Sequence, residues 1–179
     1  MTGVQTCALP ILAGAYVAAH ECDPISAFGG IVAVNRPVTQ AMAEALTEVF
    51  TEVVVAPAYE AGALSHLQGR RNLRILEAHA PTWPAHEVRS IDGGLLVQTI
   101  DTLALDDSGR IDRSGWTVAT ERSPSDAEWS DLEFAWRVAA RVSSNTIVLV
   151  KDRRAVGIGA GQQNRRDAGR IAADKADGR

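Results

Sequence analysis

Thr39-Gln40-Ala41-Met42-Ala43-Glu44-Ala45-Leu46-Thr47-Glu48-Val49-Phe50-Thr51-Glu52-Val53-Val54-Val55-Ala56-Pro57 changes period near its middle. Met42, Ala45, Leu46, Val49 and Phe50 recur at i, i+3, i+4, i+7 and i+8, one apolar stripe of a helix over Thr39–Phe50. Thr39 has the short polar side chain of an N-cap. Val53 to Ala56 is then a β-branched run ended by Pro57, with no polar alternation. Such a run is a strand buried on both faces, which belongs to a parallel sheet covered by helices.

The flanks repeat the alternation. Upstream, Leu12, Tyr16 and Ala19 mark a helix that stops before Asp23-Pro24, because the residue before proline avoids the α region. A strand follows at Ile31–Asn35, led by Gly29 and Gly30. Downstream, a helix over Ala58–Leu67 precedes a strand at Leu73–Leu76. Helix and strand in turn predict an α/β fold. Residues 78–86 are irregular, with two prolines and the histidines His79 and His86 at no metal-site spacing, so both read as surface residues. Gly93-Gly94-Leu95-Leu96-Val97-Gln98 reads as a glycine-led strand, and Asp106–Ser114 as a polar loop.

Ser123-Pro124-Ser125-Asp126 opens a long helix to about Val142. Its stripe of Trp129, Leu132, Trp136 and Ala139 predicts a core face. Thr146–Val150 is a further buried strand, expected to share one sheet with Ile31–Asn35 and Val53–Ala56. Asp152-Arg153-Arg154 is a turn, and a last helix covers Asp167–Ala176.

Composition narrows the function. The 179 residues are 46% hydrophobic and 22% charged, which excludes an intrinsically disordered tail. Eighteen Lys+Arg against 22 Asp+Glu leave a net charge of −4, with no basic excess to drive nucleic-acid binding. Apolar runs fall far short of the roughly 20 residues that span a bilayer. Cys7 and Cys22 alone make a disulfide framework improbable. A cytoplasmic protein, bound neither to nucleic acid nor to membrane, is the expectation.

Polar groups gather at the ends of apolar strands, where open α/β sheets bind ligands. They are Ser26–Gly30, Asn145, and the run Gly157-Ile158-Gly159-Ala160-Gly161-Gln162-Gln163-Asn164-Arg165. The run suits either an anion cradle at a helix N-terminus or a glycine-kinked strand. It fails the G-x-G-x-x-G/A fingerprint in both frames, which disfavours a nicotinamide dehydrogenase, and no P-loop is present. Asn145 is either a helix C-cap or a neutral donor and acceptor for a reacting amide or formyl group. Glu52 read alone is a solvated carboxylate at a helix–strand joint.

Asp23-Pro24-Ile25-Ser26-Ala27-Phe28-Gly29-Gly30, Val54-Val55-Ala56-Pro57, Asn72-Leu73-Arg74, Gly93–Gln98, Ser144-Asn145-Thr146-Ile147-Val148, Gly157–Arg165 and Ile171–Ala176 follow one another in a known order. Together they resemble the formyltransferase domain of the bifunctional purine-biosynthesis enzyme that couples phosphoribosylaminoimidazolecarboxamide (AICAR) formyltransferase to IMP cyclohydrolase. The similarity runs from about Leu12 to Lys175. It implies a cytidine-deaminase-like layered α/β sheet with helices on both faces, here a partial domain over residues 12–179. It also implies formyl transfer from 10-formyltetrahydrofolate, a cosubstrate, to the 5-amino group of AICAR, with no metal required. Homodimeric active sites at the subunit interface are part of the same expectation. By the resemblance Phe28, Gly29, Glu52 and Arg165 bind the nucleotide and Asn145 assists catalysis. Arg166 lies by the folate through its backbone, where relatives are often apolar.

Two departures accompany the match. The family's Lys-His catalytic pair lies just before the helix that starts near Leu12, and residues 1–11 hold neither lysine nor histidine. That segment is expected to be foreign or disordered. The family domain also continues past Lys175. The chain is therefore expected to be an internal fragment, inactive alone; the alternative is a nucleotide-binding or dimerising fragment. An unrelated α/β nucleotide-binding module is the third reading.

Overall fold

The computed structural model describes residues 12–179 other than 81 and 83. The expectation for residues 1–11 falls outside them. Two units are distinguished: residues up to His79 with Arg122–Arg179, and Ala80–Glu121.

The first unit begins with α1 (Leu12–Cys22), β1 (Gly30–Ala33), α2 (Gln40–Thr47), β2 (Thr51–Ala56), α3 (Ala61–Gln68) and β3 (Arg74–Glu77). β1, β2 and β3 form a parallel sheet in that order. Val32 pairs with Val54 and Val54 with Ile75, so these side chains share a face. With Met42 and Leu46 of α2 and Ala63 and Leu67 of α3 they build the first core, to which Leu12 and Tyr16 of α1 add their side chains. On the other face Ile31 and Leu76 remain more than half exposed.

Thr39 caps α2, its hydroxyl accepting the amide of Met42 at 3.3 Å. The helix ends at Thr47, although the apolar period continues to Phe50. Val49 and Phe50 belong instead to the turn into β2, where Phe50 supplies a carbonyl to Gly29. α3 starts later than its pattern suggests, because Tyr59 bridges to Val38 and its hydroxyl donates to the carbonyls of Val54 and Leu76.

The first unit resumes with α4 (Asp126–Ala139), β6 (Ile147–Lys151), β7 (Arg154–Gly159) and α5 (Arg165–Ala176). Ser125 and Glu128 close a capping box at the start of α4. Its buried residues are Phe134, Arg137 and Val138, not the expected tryptophan stripe; Leu132 and Trp136 are 44% and 53% exposed. Both arcs of this helix are apolar, and the tertiary partners choose between them. Phe134 and Val138 meet Cys22 of α1 and Ala155 of β7 in a second core. β6 and β7 form an antiparallel hairpin separate from the parallel sheet, so the single sheet expected for the three apolar strands is corrected to two.

The glycine run is decided by packing. A Cβ on Gly157 would lie 2.0 Å from the carbonyl oxygen of Ala172, and one on Gly159 2.0 Å from that of Ala168. The two glycines let α5 lie directly on β7 through Ala168, Ala172 and Ala176, all buried. Gly161 takes a positive φ of 64° in the turn that follows.

The second unit holds β4 (His86–Ile91) and β5 (Gly94–Thr99), an antiparallel hairpin. The leading glycines point to β5; β4, with Glu87, Arg89 and Ser90 between its apolar residues, carries no such signal. Glu87 accepts from Arg89 at 2.9 Å and Gln98 at 3.1 Å on one face, while Val88 pairs with Val97 on the other.

Candidate functional site

The Asp23–Gly30 segment is a chain of turns. The Asp23 carboxylate accepts the Ser26 amide at 3.1 Å, and the Asp23 carbonyl accepts from Ala27 at 3.2 Å. Its other carboxylate oxygen takes the Lys175 ammonium from the last turn of α5. Burial raises the Asp23 carboxyl, but the Lys175 and Ser26 hydrogen bonds outweigh it and hold the group below its ordinary value.

The turns deliver Phe28 and Gly29 to the amino end of β1. Gly29 has φ +69°, and its amide donates to the Phe50 carbonyl at 2.8 Å. The Phe28 ring is 72% exposed and rests against the Phe50 ring, with centroids 5.2 Å apart and planes at 44°. Glu52, exposed at the start of β2, reaches the same place. A Cβ built on Gly29 would lie 3.9 Å from its Oε1 and 3.7 Å from the Phe50 ring. Parallel pairing of β1 with β2 brings these distant residues together. The group occupies the amino ends of the parallel strands, the end opposite to the usual crevice of doubly wound sheets.

Asn145 lies two residues before β6, and Gln162 follows the end of β7; the antiparallel hairpin places both at one end. Their backbones exchange two hydrogen bonds of 3.1 Å. The Asn145 Nδ2 donates to the carbonyls of Gln162 at 3.1 Å and Gln163 at 3.2 Å. Two carbonyl partners use both hydrogens of the carboxamide and fix its orientation. Oδ1 keeps no partner among the described residues and is left as an acceptor.

Asn164 caps α5, accepting the Asp167 amide at 2.9 Å. Arg165 and Arg166 are the first two residues of the helix, both exposed. Cations at the positive end of a helix dipole oppose it. Asp167 offers one local offset and bridges to Arg170 at 3.3 Å. Two forked cations beside free helix amides suit a phosphate or carboxamide oxygen.

Phe28, Gly29 and Glu52 thus form one group, and Asn145 and the Gln162–Arg166 segment a second. No hydrogen bond, ion pair or ring contact among the described residues joins the two. Phe50, absent from the sequence-level site, belongs to the first; its place in the stripe of α2 concealed it. No group of three or more His, Cys, Asp or Glu that could hold a metal occurs among the described residues. None of the described helices is long and apolar enough to cross a membrane.

The family model described as "AICARFT/IMPCHase bienzyme" matches residues 3–175. Among curated proteins, the chain is 47% identical over 165 residues to the bifunctional purine biosynthesis protein PurH of Cutibacterium acnes, covering 92% of this chain and 31% of that protein. It is 45% identical over 164 residues to the protein of the same name from Bacillus thuringiensis and 46% to that from one Bacillus cereus strain, with 90% and 31% covered in each case. The chain therefore spans about a third of the length of the curated relatives it matches.

Proposed function

The chain belongs to the AICARFT/IMPCHase bienzyme family, and we propose that residues 12–179 are part of its formyltransferase half, the part that binds AICAR and works with 10-formyltetrahydrofolate. The observation that carries this is the meeting of Phe28, Gly29 and Glu52, which the sequence resemblance marks as nucleotide contacts, at one exposed edge.

Each group has a distinct task. Gly29 admits the ligand close to the backbone, Phe28 offers a flat apolar surface, and Glu52 accepts from ribose hydroxyls. Arg165 pairs with phosphate or carboxamide oxygen. The AICAR amine is weakly nucleophilic and must lose a proton as it attacks the formyl carbon. The Asn145 Oδ1 accepts from that amine and aims its lone pair, and the outcome is a tetrahedral formyl-transfer intermediate. Arg166 stands beside the folate. Two separate groups acting on one ligand fit active sites completed between subunits of a homodimer.

A base near neutral pKa completes the chemistry, and histidine is the apt residue. Residues 1–11 contain none, and no lysine. The second reading, binding without turnover by this chain alone, rests on that observation. Calorimetric titration with AICAR tests the binding, and a formyl-transfer assay tests the chemistry. Binding lost in Glu52→Ala and Arg165→Ala, with transfer at the no-enzyme background, is expected. Unchanged binding in both variants overturns the site; turnover well above background overturns the inactivity.

A further inference from the structure

We infer that Phe50 is a positioning residue for the nucleotide: it holds the Phe28 ring and the Gly29 backbone in the arrangement that receives a planar nitrogen heterocycle. This rests on the proposed AICAR site and adds a residue to it.

Three contacts converge on Phe50. Its carbonyl accepts the Gly29 amide at 2.8 Å, in the turn where Gly29 takes φ +69°. Its ring backs Phe28 at a centroid distance of 5.2 Å. The same ring stands 3.7 Å from where a Gly29 Cβ would be, so it also fills the space beside that backbone. An aromatic ring that is 72% exposed has no burial of its own to set its rotamer. Phe28 is therefore oriented by what lies behind it, and Phe50 is its ring partner. A platform held from behind keeps its outer face ready for a ligand, and rotamers locked by such support are what make a site accurate.

The surroundings explain why this role is separable from folding. Phe50 is itself 41% exposed and lies outside the fully buried core of α2, β2 and α3. It borders a cavity of about 310 Å³ shared with Thr47, Arg70 and Leu73. A smaller side chain at position 50 would enlarge that recess and remove the backing of Phe28, while leaving Met42, Leu46 and Val54 in place.

The test uses this chain with Phe50→Leu and the conservative Phe50→Tyr. Two readouts are taken on each: AICAR affinity by calorimetry and amide hydrogen exchange at Gly29. Phe50→Leu is expected to weaken AICAR five- to thirtyfold and to speed Gly29 exchange at least tenfold, with exchange in α2 unchanged. Phe50→Tyr is expected to keep both within twofold of wild type. Unchanged affinity in Phe50→Leu overturns the inference, as does weakened affinity with Gly29 exchange unmoved. A uniform rise in exchange across α2 and β2 also overturns it, by making the residue merely structural. Failure of the wild-type chain to bind AICAR defeats the site proposal itself, and this inference with it; normal wild-type binding with an indifferent Phe50→Leu defeats the inference alone.

Discussion

Asp131 of α4 accepts the backbone amide of Arg153 at 2.6 Å, through one carboxylate oxygen, while its other oxygen takes the amide of Asp152 at 3.1 Å. Asp152 and Arg153 both lie in the left-handed region, at φ 53° and 56°. A two-residue hairpin of this kind normally uses Asn-Gly, and a side chain here opposes the required backbone. The helix carboxylate supplies what the turn sequence lacks. It also ties the β6–β7 hairpin to α4.

Asp131→Ala should therefore cost about 2 kcal/mol, the size of a charged hydrogen bond removed. Arg153→Gly should recover about 1 kcal/mol of it by removing the left-handed penalty. Denaturant unfolding of the single and double variants checks both. An Asp131→Ala variant as stable as wild type would refute the assignment.

Neighbouring glycines should respond in opposite directions. Gly159→Ala places a methyl group 2.0 Å from the Ala168 carbonyl oxygen, a backbone atom that cannot swing aside. Overpacking of this order costs about 3 kcal/mol. Gly169 lies inside α5, and a Cβ there meets nothing within 4 Å. Gly169→Ala should stabilise by about 0.8 kcal/mol from helix propensity alone. Thermal melts of both variants provide the comparison, and equal shifts of one sign would contradict it.

At Gly29 the penalty is conformational, since a Cβ would make only ordinary contacts at 3.7 to 3.9 Å. Gly29→Ala should lose about 1 kcal/mol of stability from its φ of +69°. Its AICAR affinity should fall further, because the methyl group stands where the nucleotide approaches. Calorimetry paired with a melt separates the two effects; a normal affinity would remove Gly29 from the site.

Acid should erase the Asp23–Lys175 contribution. Asp23 titrates below its ordinary 3.8 in the folded chain, so the unfolded chain takes up the proton first. The stability linked to this pair is present in full above pH 3.8 and is lost as pH falls through the folded value. Lys175→Met should therefore be less stable than wild type at pH 6, with the gap narrowing below pH 3.8. A gap that widens on acidification would reverse the assignment.

Much of the first unit was legible because burial and period agree. Val53 to Ala56 is β-branched and unbroken, and Thr39 precedes a clean stripe, so β2 and the start of α2 follow from residue type. Legibility fails where two solutions share one pattern. Val49 and Phe50 continue the α2 stripe but serve the turn beyond it. Trp136 and Phe134 are both large and apolar, and only the position of Cys22 and Ala155 decides which is buried. β4 has no buried face, so hydrophobic alternation had nothing to report. The pairing of Gly29 with Glu52 is a product of strand order and register, which residue spacing does not encode; the family resemblance alone pointed to it. Asn145 was visible as a polar residue before a strand, but the fixing of its carboxamide by two carbonyls depends on the fold of a segment well downstream.

α1 enters both cores: Leu12 and Tyr16 at one end join the parallel sheet, and Cys22 at the other joins α4 and β7. Cys22 adjoins Asp23, which Lys175 anchors to α5. Eleven residues at 1.5 Å each make a strut of about 16 Å that joins the two cores. The strut sets their spacing as a ruler does. One residue inserted in its middle would turn its far end by about 100° and withdraw Cys22 from the second core. Both layers would still be able to form, but with their alignment lost.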